Sequence, residues 1–80
     1  MNSPNPVDTQ IGRRLQLRRV ELGYSPDQLA AVLGTAVTNV QNWEAGKLHI
    51  EARELQQLAD VMKVPVDFFF KSSTANTAGL

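Results

Sequence analysis

The 80-residue sequence has no cysteine, one histidine and one tryptophan. Without thiols there is neither a disulfide framework nor a thiolate metal site. His49 alone lacks a second ligand at metal-binding spacing. No apolar run approaches the roughly 18 residues that a membrane span requires, and residues 1–8 lack the basic and apolar pattern of a signal peptide. A glycine-rich phosphate loop is also missing, and no histidine stands beside a nucleophile. Glu51 and Glu54 read as a solvated helix face. These absences argue against an enzyme and against any cofactor, and predict a soluble, cytoplasmic protein. Net charge is missing too, because eight basic residues balance eight acidic ones. The sum advertises no nucleic-acid partner, but the distribution is uneven. Four arginines, Arg13, Arg14, Arg18 and Arg19, fall within seven positions. Taken alone, such a cluster is as readily a solvated helix face as a functional patch.

What remains is helical patterning. Residues 1–7 hold prolines and asparagines and read as a flexible lead-in. Asp8 is a candidate N-cap for a helix running to about Leu22, with Ile11, Leu15 and Leu22 on one stripe and Gly23 as its left-handed stop. Ser25, Pro26, Asp27 and Gln28 supply a hydroxyl cap, a first-turn proline, a first-turn carboxylate and a glutamine at N3, which together spell a capping box. The helix they open is short and ends at Gly34. A third helix is expected over 36–45, with Val40 and Trp43 inward and Gly46 ending it. A fourth runs over 51–62 with Leu55, Leu58, Ala59 and Met62 on one face. Pro65 interrupts, and 64–71 forms a last short turn carrying Phe68, Phe69 and Phe70. Residues 72–80 are small and polar and should fray. No segment alternates with period two, so the fold class is all-α, with one domain at 9–71 between flexible segments 1–8 and 72–80.

Two short helices joined by a glycine-containing turn make a helix-turn-helix pattern. Ala30 must be small where the third helix crosses the second, and Gly34 allows a turn that a β-carbon would strain. Val40 then packs back on Leu29 and Leu33. Such a corner leaves the outer face of its second helix projecting, and a helix fits the major groove of DNA.

At this level the chain resembles a known family. Ile11-Gly12-x-Arg14-Leu15, Gly23-Tyr24-Ser25-x-x-Gln28-Leu29-Ala30, Leu33-Gly34, Val40, Trp43-Glu44-x-Gly46 and Leu55-x-x-Leu58-Ala59-x-x-Met62-x-Val64-x-x-Asp67-Phe68 are similar to the Cro/C1-type, or xenobiotic-response-element, helix-turn-helix. The resemblance spans residues 11–70 without a gap. It implies a compact five-helix, lambda-repressor-like domain of a bacterial, nucleoid-associated regulator. That domain would bind double-stranded operator DNA, usually as a homodimer, and control transcription.

Carried over residue by residue, the resemblance turns Val37, Thr38, Gln41 and Asn42 toward base edges, where amides suit adenine and methyl groups suit thymine. It assigns phosphate contacts to Gln28, Thr35, Asn39 and Lys47, with Arg14 as a further one, and a structural ion pair to Arg19 and Glu44. Of Phe68, Phe69 and Phe70, one or two should close the core. A remaining exposed ring, with Met62 or Val66, makes Met62, Val66, Phe69 and Phe70 the candidates for an apolar surface between subunits. Three departures weaken the picture. Pro26 replaces a familiar glutamine, Ala36 replaces the usual hydroxyl cap and leaves Thr35 as the substitute, and 35–45 contains no lysine or arginine. A rival reading therefore stands: a protein-interaction module on the same fold, such as an antitoxin or an adaptor of another regulator.

Overall fold

The computed structural model describes residues 6–71. They form α1 (Pro6–Leu22), α2 (Pro26–Leu33), α3 (Val37–Glu44) and α4 (Ala52–Met62), followed by a 3-10 helix (Val66–Phe70). No strand occurs among the described residues. The fold is thus all-α as expected, but with four α-helices, because Pro65 and the short Phe run leave room only for a 3-10 turn where a fifth was predicted.

The helix boundaries show which local signals act. Ser25 Oγ accepts from the Gln28 amide at 3.1 Å, and Gln28 Oε1 accepts from the Ser25 amide at 2.8 Å, closing the capping box. Gly34 then takes the left-handed conformation at φ 72° and ends α2. At the first helix the expectation needs correcting. α1 begins at Pro6, so Pro6, Val7 and Asp8 are helical rather than part of a flexible segment. A proline fits the first turn, where its missing N–H is no loss. Residues 1–5 and 72–80 lie outside the described residues. Glu51, predicted as helix surface, is the N-cap of α4, and Glu54 Oε1 accepts from its amide at 2.9 Å. The left-handed cap of that helix is Lys63 at φ 60°, with no glycine to announce it.

Ile11, Leu15, Leu29, Ala30, Val40, Trp43, Ile50, Leu55, Leu58, Ala59, Met62 and Phe69 make one core. α1 packs against both α3 and the 3-10 helix. Gly12 marks the closest approach: a β-carbon there would strike the carbonyl of Trp43 and lie 2.8 Å from that of Glu44. The α1–α3 packing distance is therefore fixed by a missing methyl group.

The arginine cluster is largely absorbed by this architecture. Gln10, Arg14 and Arg18 recur every four residues and so share one ridge of α1. Gln10 Nε2 donates to the Phe70 carbonyl at 2.6 Å, Arg14 Nε to that of Phe68 at 3.0 Å, and Arg18 Nε to that of Met62 at 2.9 Å. The Arg14 guanidinium also sits 4.1 Å from the centre of the Phe68 ring, which stands edge-on to Phe69. Together they clamp the C-terminal turn onto α1 and satisfy carbonyls that the helix ends leave open. Phe69 beneath the clamp is fully buried.

Candidate nucleic-acid interface

The residues of α3 alternate between an inner and an outer side, with Val37, Asn39 and Glu44 half-buried between them. Val40 and Trp43 are buried, whereas Thr38, Gln41 and Asn42 are exposed. Val37 is half-buried and packs against the core, so of the four residues expected at base edges it has the least reach. Thr38 and Asn42, four apart, share one outward face with Gln41 beside them. This face carries two amides and a hydroxyl and no charge. Trp43 is a core residue as read, although its indole N–H is buried without an acceptor among the described residues.

No side chain caps the first amides of α3. The Thr35 hydroxyl, expected to act as the cap, instead accepts from Asn39 Nδ2 at 2.7 Å. Its methyl neighbour Ala36 has nothing to offer. The N-terminus of α3 is thereby left open, which is the arrangement that suits an anion. The start of α2 differs: Gln28 turns back on Ser25, and Asp27 places a carboxylate in the first turn. Lys47, just past α3, is exposed, while its own amide donates to the Asn42 carbonyl at 2.9 Å. Arg14, the further phosphate candidate, is committed to Phe68 through a hydrogen bond and a ring contact.

What holds α3 in place is a buried ion pair. Arg19 Nε donates to Glu44 Oε2 at 2.6 Å and Arg19 Nη2 to Glu44 Oε1 at 3.1 Å, while Nη1 reaches the Tyr24 carbonyl at 2.8 Å. Both side chains are about nine-tenths buried. One guanidinium thus joins the end of α1, the turn before α2 and the last residue of α3. Its fork geometry suits the bidentate task in a way an ammonium would not.

The loop after α3 is tied back as well. Gly46 lies at φ 76°, and a β-carbon there would meet Thr9 Oγ1 at 2.8 Å. His49 Nδ1 lies 2.9 Å from Asp8 Oδ1, so the carboxylate read as a helix cap serves a tertiary contact. That hydrogen bond, and then the Asp8 charge, raise the His49 pKa above its ordinary value, with smaller help from Glu51 and Glu54. A raised folded-state pKa means the imidazolium is held more tightly in the folded chain. The resulting stability is fully present below the unfolded pKa and fades as pH rises through the folded one. Thermal melts should therefore show a falling melting temperature above about pH 6.5, the ordinary histidine value. Asp8→Asn should flatten that part of the profile; an unchanged slope would show that the pair does not govern it.

The subunit surface predicted from the phenylalanines requires correction. Met62 and Phe69 are completely buried in the core, because the clamp from α1 closes over them. Of that set only Phe70 and, in part, Val66 reach solvent. Among the described residues no group of three His, Cys, Asp or Glu side chains gathers as metal ligands, and no helix is long and apolar enough to cross a membrane.

A short helix pinned at a fixed height above a glycine turn, its polar face outward, defines the helix-turn-helix class. The helix-turn-helix family model matches residues 15–69, and the chain belongs to this family in its Cro/C1 type. Named relatives agree. An HTH-type transcriptional regulator of Sinorhizobium medicae is 37% identical over 76 residues, covering 95% of this chain and 55% of the relative. A transcriptional regulator in the ATPase CF(0) region of Rhodospirillum rubrum is 34% identical over 64 residues, covering 80% of this chain and 59% of the relative. The chain thus spans little more than half the length of these relatives. Among solved structures, the DNA-binding domain of BldD is 25% identical with a TM-score of 0.75, covering 89% of this chain and all of that one. The restriction-modification controller protein C.AhdI from Aeromonas hydrophila, at 24% identity, has a TM-score of 0.74 and covers 79% of this chain and 96% of that one.

Proposed function

We propose that this chain is a DNA-binding transcriptional regulator that reads the major groove of double-stranded DNA with α3, as a pair of copies on a two-fold site. The observation that carries this reading is the exposed triad Thr38, Gln41 and Asn42 on a helix whose height and angle are fixed by Gly12 and by Arg19–Glu44. The names of the relatives and of the BldD domain support it. Asn42 and Gln41 suit adenine edges, and the Thr38 methyl suits thymine, so A·T-rich half-sites are favoured. The open N-terminus of α3, with Thr35 and Asn39 beside it, takes one phosphate, and Lys47 a second. Gln28 is the further phosphate candidate, through the face it keeps exposed.

Site selection from random duplexes, followed by mobility shift across salt concentrations, tests the proposal. Asn42→Ala is expected to lower affinity for the selected site by roughly 10- to 100-fold and to relax sequence preference at one position. Lys47→Ala should weaken all sequences alike and reduce the salt slope by about one. Retention of no DNA at any salt concentration would overturn it.

One observation favours a second reading. Three of the four clustered arginines point into the fold or at backbone carbonyls, and α3 carries no cation. An uncharged face of this kind also fits a protein partner, as in an antitoxin or an adaptor, and the failed mobility shift would select that role.

A further inference from the structure

The outward face of α1, opposite the buried Ile11 and Leu15, is not covered by any other described residue. Leu17 is 47% exposed and Val20 62%, flanked by exposed Arg13, Gln16 and Glu21. A shallow depression of about 470 Å³ runs among Arg13, Arg14, Gln16, Leu17 and Val20. A solvated helix back has no use for a branched apolar pair at i and i+3, and water alone is a poor partner for it.

The charges around this pair indicate what covers it. Arg14 and Arg18, the other basic residues nearby, donate to the Phe68 and Met62 carbonyls. The charged groups that border the apolar pair are therefore Arg13 on one side and Glu21 on the other. Each is four residues from Leu17, so they lie on one ridge, about 6 Å before and after it along the axis. We infer that a second copy of this chain docks here, α1 against α1 and antiparallel, on a two-fold axis through Leu17. Under that symmetry Leu17 meets Leu17, and Arg13 of each copy faces Glu21 of the other. A strongly acidic or strongly basic partner would find one of the two charges repulsive; the same surface turned around satisfies both. Glu21 also accepts from Arg18 Nη1 at 3.3 Å, an exposed contact that leaves it within reach.

A contact built on the two exposed apolar side chains Leu17 and Val20 falls well short of the ~800 Å² per partner of a stable interface. The contact is accordingly weak and acts between copies already brought close, as on neighbouring DNA sites if the proposed function holds. It stands independently of DNA binding.

Because the chain lacks cysteine, the docking can be trapped by oxidation of single-cysteine variants. Leu17→Cys is expected to form a covalent dimer about tenfold faster than Val32→Cys, a somewhat more exposed position on α2. In the Leu17→Cys background, adding Arg13→Glu or Glu21→Arg alone should slow the cross-linking by roughly tenfold, since two attractive pairs become repulsive. Combining both reversals, or mixing the two singly reversed proteins, should restore it. Equal rates at positions 17 and 32, or rates indifferent to charge reversal, would overturn the inference. Melting temperatures of the variants, measured alongside, exclude misfolding as the cause of any slow rate.

Discussion

Replacing Arg19 with alanine is expected to lower the unfolding free energy by about 3–5 kcal/mol, a large part of what a domain of this size possesses. The reason is the carboxylate left behind. Glu44 has a side chain only 9% exposed, and Arg19 supplies both of its close donors. Removing the guanidinium strands a charge in a region of low polarity and also frees the Tyr24 carbonyl. Urea titration followed by Trp43 fluorescence measures the loss. The double variant Arg19→Met/Glu44→Leu should recover most of it, because a packed apolar pair of similar volume is often as stable as a buried ion pair. A single variant within about 1 kcal/mol of the parent would show that water reaches Glu44 freely. An Arg19→Ala protein that stayed stable yet lost DNA binding would instead make Arg19 a DNA contact.

The second large effect falls on Gly12. Helix propensity alone says that Gly12→Ala in the middle of α1 should gain nearly 1 kcal/mol. Packing says the opposite. The added methyl would collide with the backbone carbonyls of Trp43 and Glu44, and backbone cannot rotate aside as a side chain does. The expected net loss is about 3 kcal/mol, a fall in melting temperature of roughly 15 °C. DNA affinity should fall as well, since α3 is pushed away from α1 and the Arg19–Glu44 geometry opens. A variant melting within a few degrees of the parent would mean that the two helices slide apart at little cost.

These two residues also show how far a sequence can be read. The α2 boundaries were legible because every signal was local: Ser25, Pro26, Gln28 and Gly34 act within a turn or two of where they stand. The core positions Val40, Trp43, Leu55 and Leu58 followed from periodicity. The outward face of α3 was legible for the same reason, as the complement of Val40 and Trp43. Long-range polar contacts were not. Nothing in the spacing of Gln10, Arg14 and Arg18 says that their partners are carbonyls 44 to 60 residues away. Hence Arg14 looked available to phosphate, and Met62 and Phe69 looked available to a second subunit. Lys63 escaped because a lysine in the left-handed region is held there by its surroundings and carries no compositional mark. Asp8 illustrates the reverse error: a good capping residue was spent on His49, a partner 41 positions away.

The clamp of α1 on the 3-10 helix bears on how the chain is made. An all-helical domain of this size would ordinarily assemble from neighbouring segments, quickly and from either end. Here Gln10 and Arg14 find their carbonyl partners, and the core its Phe69 ring, only when the other end of the domain has left the ribosome. Until then Leu15 and Ile11 have an incomplete lid. Synthesis must run ahead of folding, and a message truncated before Phe68 would yield a chain with an exposed core, ready for proteolysis.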